Sequence, residues 1–255
     1  MRTLPPRSAW LKGPDFPCDT IPPPLLRPLR VVLLGAPGVG KGTQAELFAA
    51  RRGACQLSTG DVFRAARADD PCSHTPGLSD ALAFITRGEL VPDDTVLGIV
   101  RERSACLTCR GGFLLDGFPR TVRQAEALDA LLAEHNVPLD GVLSLQLPLD
   151  RVVRRLSGRR TCVGCGRIYH LKAHRPRMKG VCDRCGERLE HRGDDRPDAI
   201  RIRMQAYKDS TAPLIAYYRT KRLLIPVSAD GTPEEIYDRA ALALDRRLTA
   251  RLKGA

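Results

Sequence analysis

The chain has 255 residues, 43% of them hydrophobic and 27% charged, with a formal net charge of +12. Its length fits one or two globular domains, and no apolar run approaches the roughly 18 residues that suggest a membrane span. No apolar segment of about 7–15 residues follows the first charges, so no secretory signal is expected; nine cysteines then favour a reducing compartment, the cytoplasm, where cysteine pairs bind metal or do redox work more often than they form disulfides.

Residues 1–28 hold eight of the 20 prolines, including Pro22-Pro23-Pro24, and show no helical or strand period. Residues 1–29 therefore read as a disordered or extended tail. From residue 30 the pattern changes. The apolar run Val31-Val32-Leu33-Leu34 leads into Gly35-Ala36-Pro37-Gly38-Val39-Gly40-Lys41-Gly42-Thr43-Gln44. A buried strand, a glycine-rich turn with a lysine and a helix start make a phosphate cradle: backbone N–H groups converge on phosphate oxygens, Lys41 adds a positive charge, and the helix presents its N-terminus to the anion. One position departs from the usual loop. Gly42 stands where a Ser or Thr normally binds Mg²⁺, and Thr43 follows it.

Further apolar runs occur at residues 112–115, 141–147 and 223–227, with helical patterns at 43–52, 93–103, 121–135 and 198–218. This alternation predicts an α/β fold, a parallel sheet with crossover helices. Ligands in such sheets bind at the C-terminal ends of strands, where the glycine loop, Asp116-Gly117-Phe118-Pro119-Arg120 and Leu147-Pro148-Leu149-Asp150 all fall.

Cys162-x2-Cys165 and Cys182-x2-Cys185 have the spacing of a Cys₄ site for Zn²⁺. Four protein ligands leave no open coordination position, so the metal is expected to be structural, holding together a segment with few apolar residues. The pair Cys106-x2-Cys109, with Cys72 and His74 as distant partners, is weak support for a second metal or redox site; incidental cysteines in a polar loop are the plainer expectation. Residues 155–203 carry 14 Lys and Arg against 6 Asp and Glu. Such a surplus suits nucleotide phosphates or nucleic acid, or is a solvated basic face.

Several blocks then coincide with one family. They are the Lys-Gly-Thr-Gln loop, Leu57-Ser58-Thr59-Gly60-Asp61, Gly88-Glu89-Leu90-Val91-Pro92-Asp93, and Gly112-Phe113-Leu114-Leu115-Asp116-Gly117-Phe118-Pro119-Arg120-Thr121. Arg155-Leu156-Ser157-Gly158-Arg159-Arg160 precedes the cysteines and Arg192-Gly193-Asp194-Asp195 follows them. From about residue 30 to about 235 the chain resembles adenylate kinases of the long-lid bacterial type with a zinc-bearing lid. The resemblance implies a P-loop nucleoside monophosphate kinase fold: a core of residues 30–57, 92–157 and 196–255, an AMP-binding insertion at 58–91 and a zinc lid at 158–195. It implies transfer of the γ-phosphoryl of ATP to AMP, giving two ADP.

By that resemblance Lys41, Arg64, Arg120, Arg159, Arg192 and Arg203 are the phosphate-binding, catalytic cations. Arginine suits the task because its planar fork grips two oxygens and stays charged. Gly38, Val39, Gly40, Lys41, Gly42 and Thr43, with Arg159, Ile168 and Tyr169, would contact ATP. Thr59, Glu89, Leu90, Val91 and Gln124 would surround the AMP base; Gly117, Phe118, Pro119 and Arg120 would join Arg64, Arg192 and Arg203 on the acceptor side. Gln124 has an amide able to read an adenine edge, or is an exposed helix residue. Asp116 would hold Mg²⁺ through water; with the ion held mostly by phosphates and water, no hydroxyl is needed directly after Lys41. The cysteines Cys162, Cys165, Cys182 and Cys185 would hold Zn²⁺. ATP, AMP and ADP are the expected partners of a monomer, with no membrane and no nucleic acid.

Two other readings stand beside this one: the same chemistry on a pyrimidine or guanine monophosphate, and a basic zinc ribbon that binds nucleic acid. Stacking aromatics would mark the latter, and Tyr169 is the sole aromatic residue between 155 and 203. One segment departs from the family pattern. Pro71 and Pro76 in residues 69–77 forbid an uninterrupted helix in the part that should close over the acceptor.

Overall fold

The computed structural model of the protein describes residues 8–13, 27–68 and 76–253. Among these, eight strands occur in chain order: β1 (Leu29–Leu34), β2 (Cys55–Ser58), β3 (Gly112–Asp116), β4 (Gly141–Gln146), β5 (Arg159–Cys162), β6 (Ile168–His170), β7 (Leu189–Glu190) and β8 (Leu224–Ser228). The helices are α1 (Ser8–Lys12), α2 (Lys41–Arg52), α3 (Thr59–Ala68), α4 (Pro76–Arg87), α5 (Asp93–Glu102), α6 (Val122–Glu134), α7 (Leu149–Gly158), α8 (Pro197–Ala206), α9 (Pro213–Thr220) and α10 (Pro233–Lys253).

Five strands form one parallel sheet in the order β2-β3-β1-β4-β8. Parallel strands need crossover connections, which lay helices on both faces. The two cores follow from the period-2 alternation of side chains. Val32 and Leu34 of β1, Phe113 and Leu115 of β3 and Val142 of β4 share one core with α5, α6 and α9 residues such as Val100, Leu128 and Tyr218. Val31, Leu33, Leu114, Leu143 and Leu145 face the other, against Phe48 of α2 and Leu244 of α10. Burial on both faces is why these strands read as mainly apolar runs. The sheet order reverses direction around β1, with β3 on one side and β4 on the other. That switch point opens a crevice at the strands' C-terminal ends.

Between α7 and α8 the chain leaves this sheet and makes a second one, antiparallel, in the order β6-β5-β7. Its interior is small: Cys162, Tyr169 and Cys182 are its buried members, with Cys165 and Leu189 against them.

Three sequence expectations are corrected. Residues 8–13 are not part of an irregular tail: α1 buries Trp10 completely in the first core, its indole Nε1–H donating to the Ser58 carbonyl at 3.0 Å. Five residues cannot hold a helix by themselves, so the packing of Trp10 supplies what propensity lacks. The pattern over 198–218 is not one regular helix. α8 ends at Ala206, a π-helical turn spans Tyr207–Thr211, and α9 begins at Pro213. Proline has no N–H and crowds the carbonyl four residues back; the backbone widens there, with Ala212 N–H donating to Tyr207 O, five residues away. Cys106 and Cys109 do not lie in a polar loop. Cys106 is buried within a 3₁₀ turn, Ser104–Thr108, and both cysteines belong to the first core. Cys72 and His74 lie outside the described residues, as do most of 69–77; α3 stops at Ala68 and α4 starts at Pro76. No helix of the described residues is long and apolar enough to cross a membrane.

Candidate functional site

Where β1 ends, the chain must turn sharply beside its neighbour. Gly35 has φ +146°, and a Cβ there would stand 2.6 Å from the Leu145 carbonyl oxygen, so only glycine fits this approach. The turn closes at Gly40, which caps α2 in the left-handed conformation with no side-chain hydrogen bond. The first N–H groups of α2 therefore point into the crevice as anion donors. Lys41 lies across the mouth of the loop, its ammonium donating to the carbonyls of Gly35 (2.7 Å) and Ala36 (3.1 Å). Burial lowers its pKa to about 8; Asp116 opposes that shift, and Arg120, Arg203 and Arg159 add to it.

The crevice is a cavity of about 600 Å³, within the range of small-molecule sites. Its cations come from separate segments: Lys41 from the loop, Arg120 from the turn after β3, Arg159 from the start of β5, Arg192 from the end of the inserted sheet and Arg203 from α8. Two aspartates hold part of this set. Asp195, 1% exposed, accepts both Nε (2.6 Å) and a terminal N–H of Arg159, and a further N–H from Arg203 at 3.0 Å. Asp194 pairs with Arg203 at 2.9 Å. Burial draws Arg203 down to about 10, so it remains charged at neutral pH. Arg192 donates from Nε to Thr161 Oγ1 at 2.8 Å. The α3 backbone carries Arg64, whose side chain lies outside the described residues.

On the glycine-loop side the cavity is lined by Gly38, Gly40, Gly42 and Thr43 and roofed by Ile168 and Tyr169. A Cβ on Gly42 would meet Asp116 Oδ2 and Ile168 Cδ1 at 3.5 Å, which is ordinary contact. The carboxylate of Asp116 thus stands beside the loop, where hard-cation chemistry would need it. Tyr169 is 1% exposed: its hydroxyl is engaged with Cys182 Sγ and the Asp183 N–H, and its ring stacks on His174. Val39 and Phe118 are each 1% exposed and belong to the two cores, and neither lines the cavity.

The opposite arm is lined by Thr59, Glu89, Leu90, Val91, Gly117 and Gln124; Pro119 lines a small adjoining cavity with Arg120 and Arg203. Gln124 is not an exposed helix residue. It is 2% exposed, its Nε2 donates to Asp93 Oδ1 at 2.7 Å, and its Oε1 accepts the Arg120 N–H at 2.7 Å. Thr121 caps α6 with its side chain and also donates to Asp93. One carboxylate thereby fixes the start of α6 against the start of α5.

In the inserted sheet the sulfurs of Cys162, Cys165, Cys182 and Cys185 all lie within 4.8 Å of one another. Backbone N–H groups of Cys165 and Arg184 approach Cys162 Sγ and Cys182 Sγ at 3.5 and 3.4 Å. Burial pushes the Cys165 thiol up to about 12. Burial also works against the Cys182 thiolate, yet the Tyr169 hydroxyl and the N–H groups of Arg184 and Cys185 bring it down to about 6. Four converging thiols with N–H donors behind them fit a tetrahedral soft dication, and the set is compatible with Zn²⁺.

The sequence model of the family described as adenylate kinase matches residues 33–223. The chain is also 47% identical over 219 residues to the adenylate kinase of Thermodesulfovibrio yellowstonii, covering 86% of this chain and all of that one. It is 48% identical over 216 residues to the adenylate kinase of Acidothermus cellulolyticus (85% and 98% covered), and 45% identical over 206 residues to that of Archaeoglobus fulgidus (81% and 92%). The chain belongs to the adenylate kinase family.

Sequence reasoning missed several residues of this adenylate kinase family member. Arg155 donates to Val39 O at 3.0 Å and to Ala229 O at 2.9 Å, clamping the glycine loop to the turn after β8. Its partners lie 116 and 74 residues away, and no local pattern reports them. Asp93 could have been found: it directly follows Pro92 at the start of a helical pattern, where an acidic residue is favoured. Asp194 and Asp195 were visible as part of the Arg192 block, but the burial of Asp195 against Arg159 and Arg203 and the pairing of Asp194 with Arg203 were not.

Proposed function

We propose that the protein transfers the γ-phosphoryl of Mg·ATP to AMP, giving two ADP. The observation that carries this is the two-armed cavity: a glycine loop with Lys41 at one arm, a pocket around Thr59, Glu89 and Gln124 at the other, and arginines from four segments between them. Two polyanions can meet there only if their charge is neutralised, and phosphoryl transfer asks mainly for alignment and neutralisation.

ATP lies with its phosphates on the loop from Gly38 to Thr43, with Val39 contributing through its backbone. Lys41 and Arg159 grip the phosphates, and Ile168 and Tyr169 cover the donor. AMP lies against Thr59, Leu90, Val91 and Gln124, its phosphate held by Arg64, Arg120, Arg192 and Arg203. An α-phosphate oxygen of AMP attacks the γ-phosphorus as the bond from that phosphorus to the β–γ bridging oxygen breaks. The charge leaves on ADP, and the cations shared between the arms stabilise it throughout. Mg²⁺, held by the phosphates and through water by Asp116, would neutralise and orient the triphosphate. Residues 158–195 act as a lid whose closure excludes the water that would otherwise take the phosphoryl group, and residues 58–91 as the acceptor-binding insertion. Zn²⁺ on the four cysteines would make the lid a rigid unit. Every named group comes from one chain, which suits a monomer, and a thiolate metal site suits the cytoplasm.

A steady-state assay of AMP, GMP, CMP and UMP with Mg·ATP tests this. Efficient phosphorylation of AMP, lost in Lys41→Ala and Arg120→Ala, is the expected result. Preference for another monophosphate, or no turnover with any, would overturn it.

A further inference from the structure

Outside the nucleotide cavity and the lid, two cysteines meet across the sheet edge. Cys55 is the first residue of β2 and is 3% exposed; Cys109 is partly exposed at the turn that feeds β3. Their sulfurs lie 3.0 Å apart. The backbone fixes both. Cys55 is in register with Phe113 of β3, and the Cys109 carbonyl accepts the N–H of Gly112, the first residue of β3, at 2.8 Å. A disulfide needs sulfurs about 2.0 Å apart, so the pair closes with an approach of about 1 Å and no change in strand register. Among the described residues, groups of three or more ligating side chains occur at the lid alone.

We propose that Cys55 and Cys109 form an oxidative modification site, which a hydroperoxide converts to an intrachain disulfide. Cys109 reacts first because solvent reaches it. Its thiol gives up a proton, and the thiolate attacks one peroxide oxygen. The O–O bond breaks and hydroxide leaves, taking up the proton as water, so Cys109 becomes a sulfenic acid. Cys55 Sγ then attacks the Cys109 sulfur; the S–S bond forms, the S–O bond breaks, and hydroxide departs with the Cys55 proton as a second water. Two thiols are oxidised and one peroxide is reduced.

The place of this bond decides its effect. β2 and β3 carry Thr59 and Asp116 at their C-terminal ends, while the cysteines sit at the N-terminal ends, and neither lines the cavity. The disulfide therefore ties the edge strand to the sheet without entering the nucleotide site. It closes a loop of over fifty residues, which narrows the unfolded ensemble substantially. Oxidation here protects the enzyme rather than switching it off.

The test treats the full-length, metal-loaded protein with a few equivalents of hydrogen peroxide, alkylates the remaining thiols and maps the peptides without reduction. Fragment spectra separate Cys109 from Cys106, which share a tryptic peptide. The expected result is a Cys55–Cys109 link two hydrogens lighter than the dithiol, with metal content unchanged and AMP-dependent turnover within about twofold of the reduced form. The melting temperature should rise by roughly 5–15 °C, return with dithiothreitol, and stay fixed in Cys109→Ser. Both residues recovered as alkylated thiols after the peroxide is consumed would overturn the proposal. So would a link from either to another cysteine, or loss of a second metal equivalent that Cys109→Ser lacks. The map is read on the unmodified sequence, so it decides even if the variant does not fold.

Discussion

Raising the pH through 8 takes Lys41 from charged to neutral in the empty site. Burial has drawn its pKa from 10.5 to about 8, a difference of about 3 kcal/mol between the two protonation states. The sign for stability follows from proton binding. Below about pH 8 the folded and unfolded chains both hold the proton, and the full cost of the buried ammonium is present. Between about 8 and 10.5 the folded chain releases the proton while the unfolded chain keeps it, so this group's contribution to stability rises with pH. Nucleotide binding should behave oppositely. A triphosphate on the loop favours the ammonium and raises its pKa, so each bound ATP takes up a proton once the pH exceeds about 8.

Affinity for Mg·ATP should then fall about tenfold per pH unit from about pH 8 to 9.5. Above about pH 7.5 the terminal phosphate, with a second pKa of about 6, no longer titrates. Calorimetric titrations in two buffers of different ionisation heat would read affinity and proton uptake together. In Lys41→Arg, whose cation does not titrate there, the slope should vanish whatever the absolute affinity. An affinity flat within twofold across that range, with no proton uptake, would refute the buried-ammonium account of the loop.

Removing the Zn²⁺ proposed at Cys162, Cys165, Cys182 and Cys185 should lower the melting temperature and weaken ATP binding; an unchanged melting temperature and rate after verified removal would sink the structural role. Trp10→Ala should cost about 3 kcal/mol, roughly 6–12 °C in melting temperature, because its indole is completely buried. Trp10→Phe should lose about 1 kcal/mol for the hydrogen bond to the Ser58 carbonyl, and thermal melts of the two variants would separate packing from hydrogen bonding. Arg155→Ala frees the glycine loop from its clamp and should raise KM for ATP about tenfold with KM for AMP within twofold; equal changes in both would show a general loss of structure instead.

The parts of this architecture legible in the sequence are those in which neighbours in the chain are neighbours in space. The loop from Gly35 to Lys41 is one such part: strand, turn and helix start are contiguous, and their glycines answer to local geometry. The central strands are another, since burial on both faces leaves β1, β3 and β4 mostly apolar, with Ser144 a buried exception. β2, with the polar Gln56 and Ser58 among four residues, carries no such signature, and as the edge strand it is covered partly by α1. The clamp from Arg155 and the docking of Trp10 depend on contacts across 116 and 48 residues. The cysteine pair at the sheet edge joins residues 54 apart, and no spacing rule in one chain reports that.

The placement of Asp194 and Asp195 shows why the cations can stay inside before any nucleotide arrives. Four guanidiniums and an ammonium facing one cavity repel one another, and burial strips them of water. A wholly unpaired set would swing out to solvent. Asp195, with essentially no exposure, fixes Arg159 by two contacts and Arg203 by one, while Asp194 takes Arg203 as well. The aspartates neutralise only part of the charge: Lys41 keeps its lowered pKa with Asp116 beside it and three arginines opposing. What remains is a positive surplus held at fixed positions, and a polyphosphate needs to supply only the charge that the protein has left out. The site is therefore preorganised for an anion, which is the condition under which electrostatic stabilisation of phosphoryl transfer costs no rearrangement at the moment of reaction.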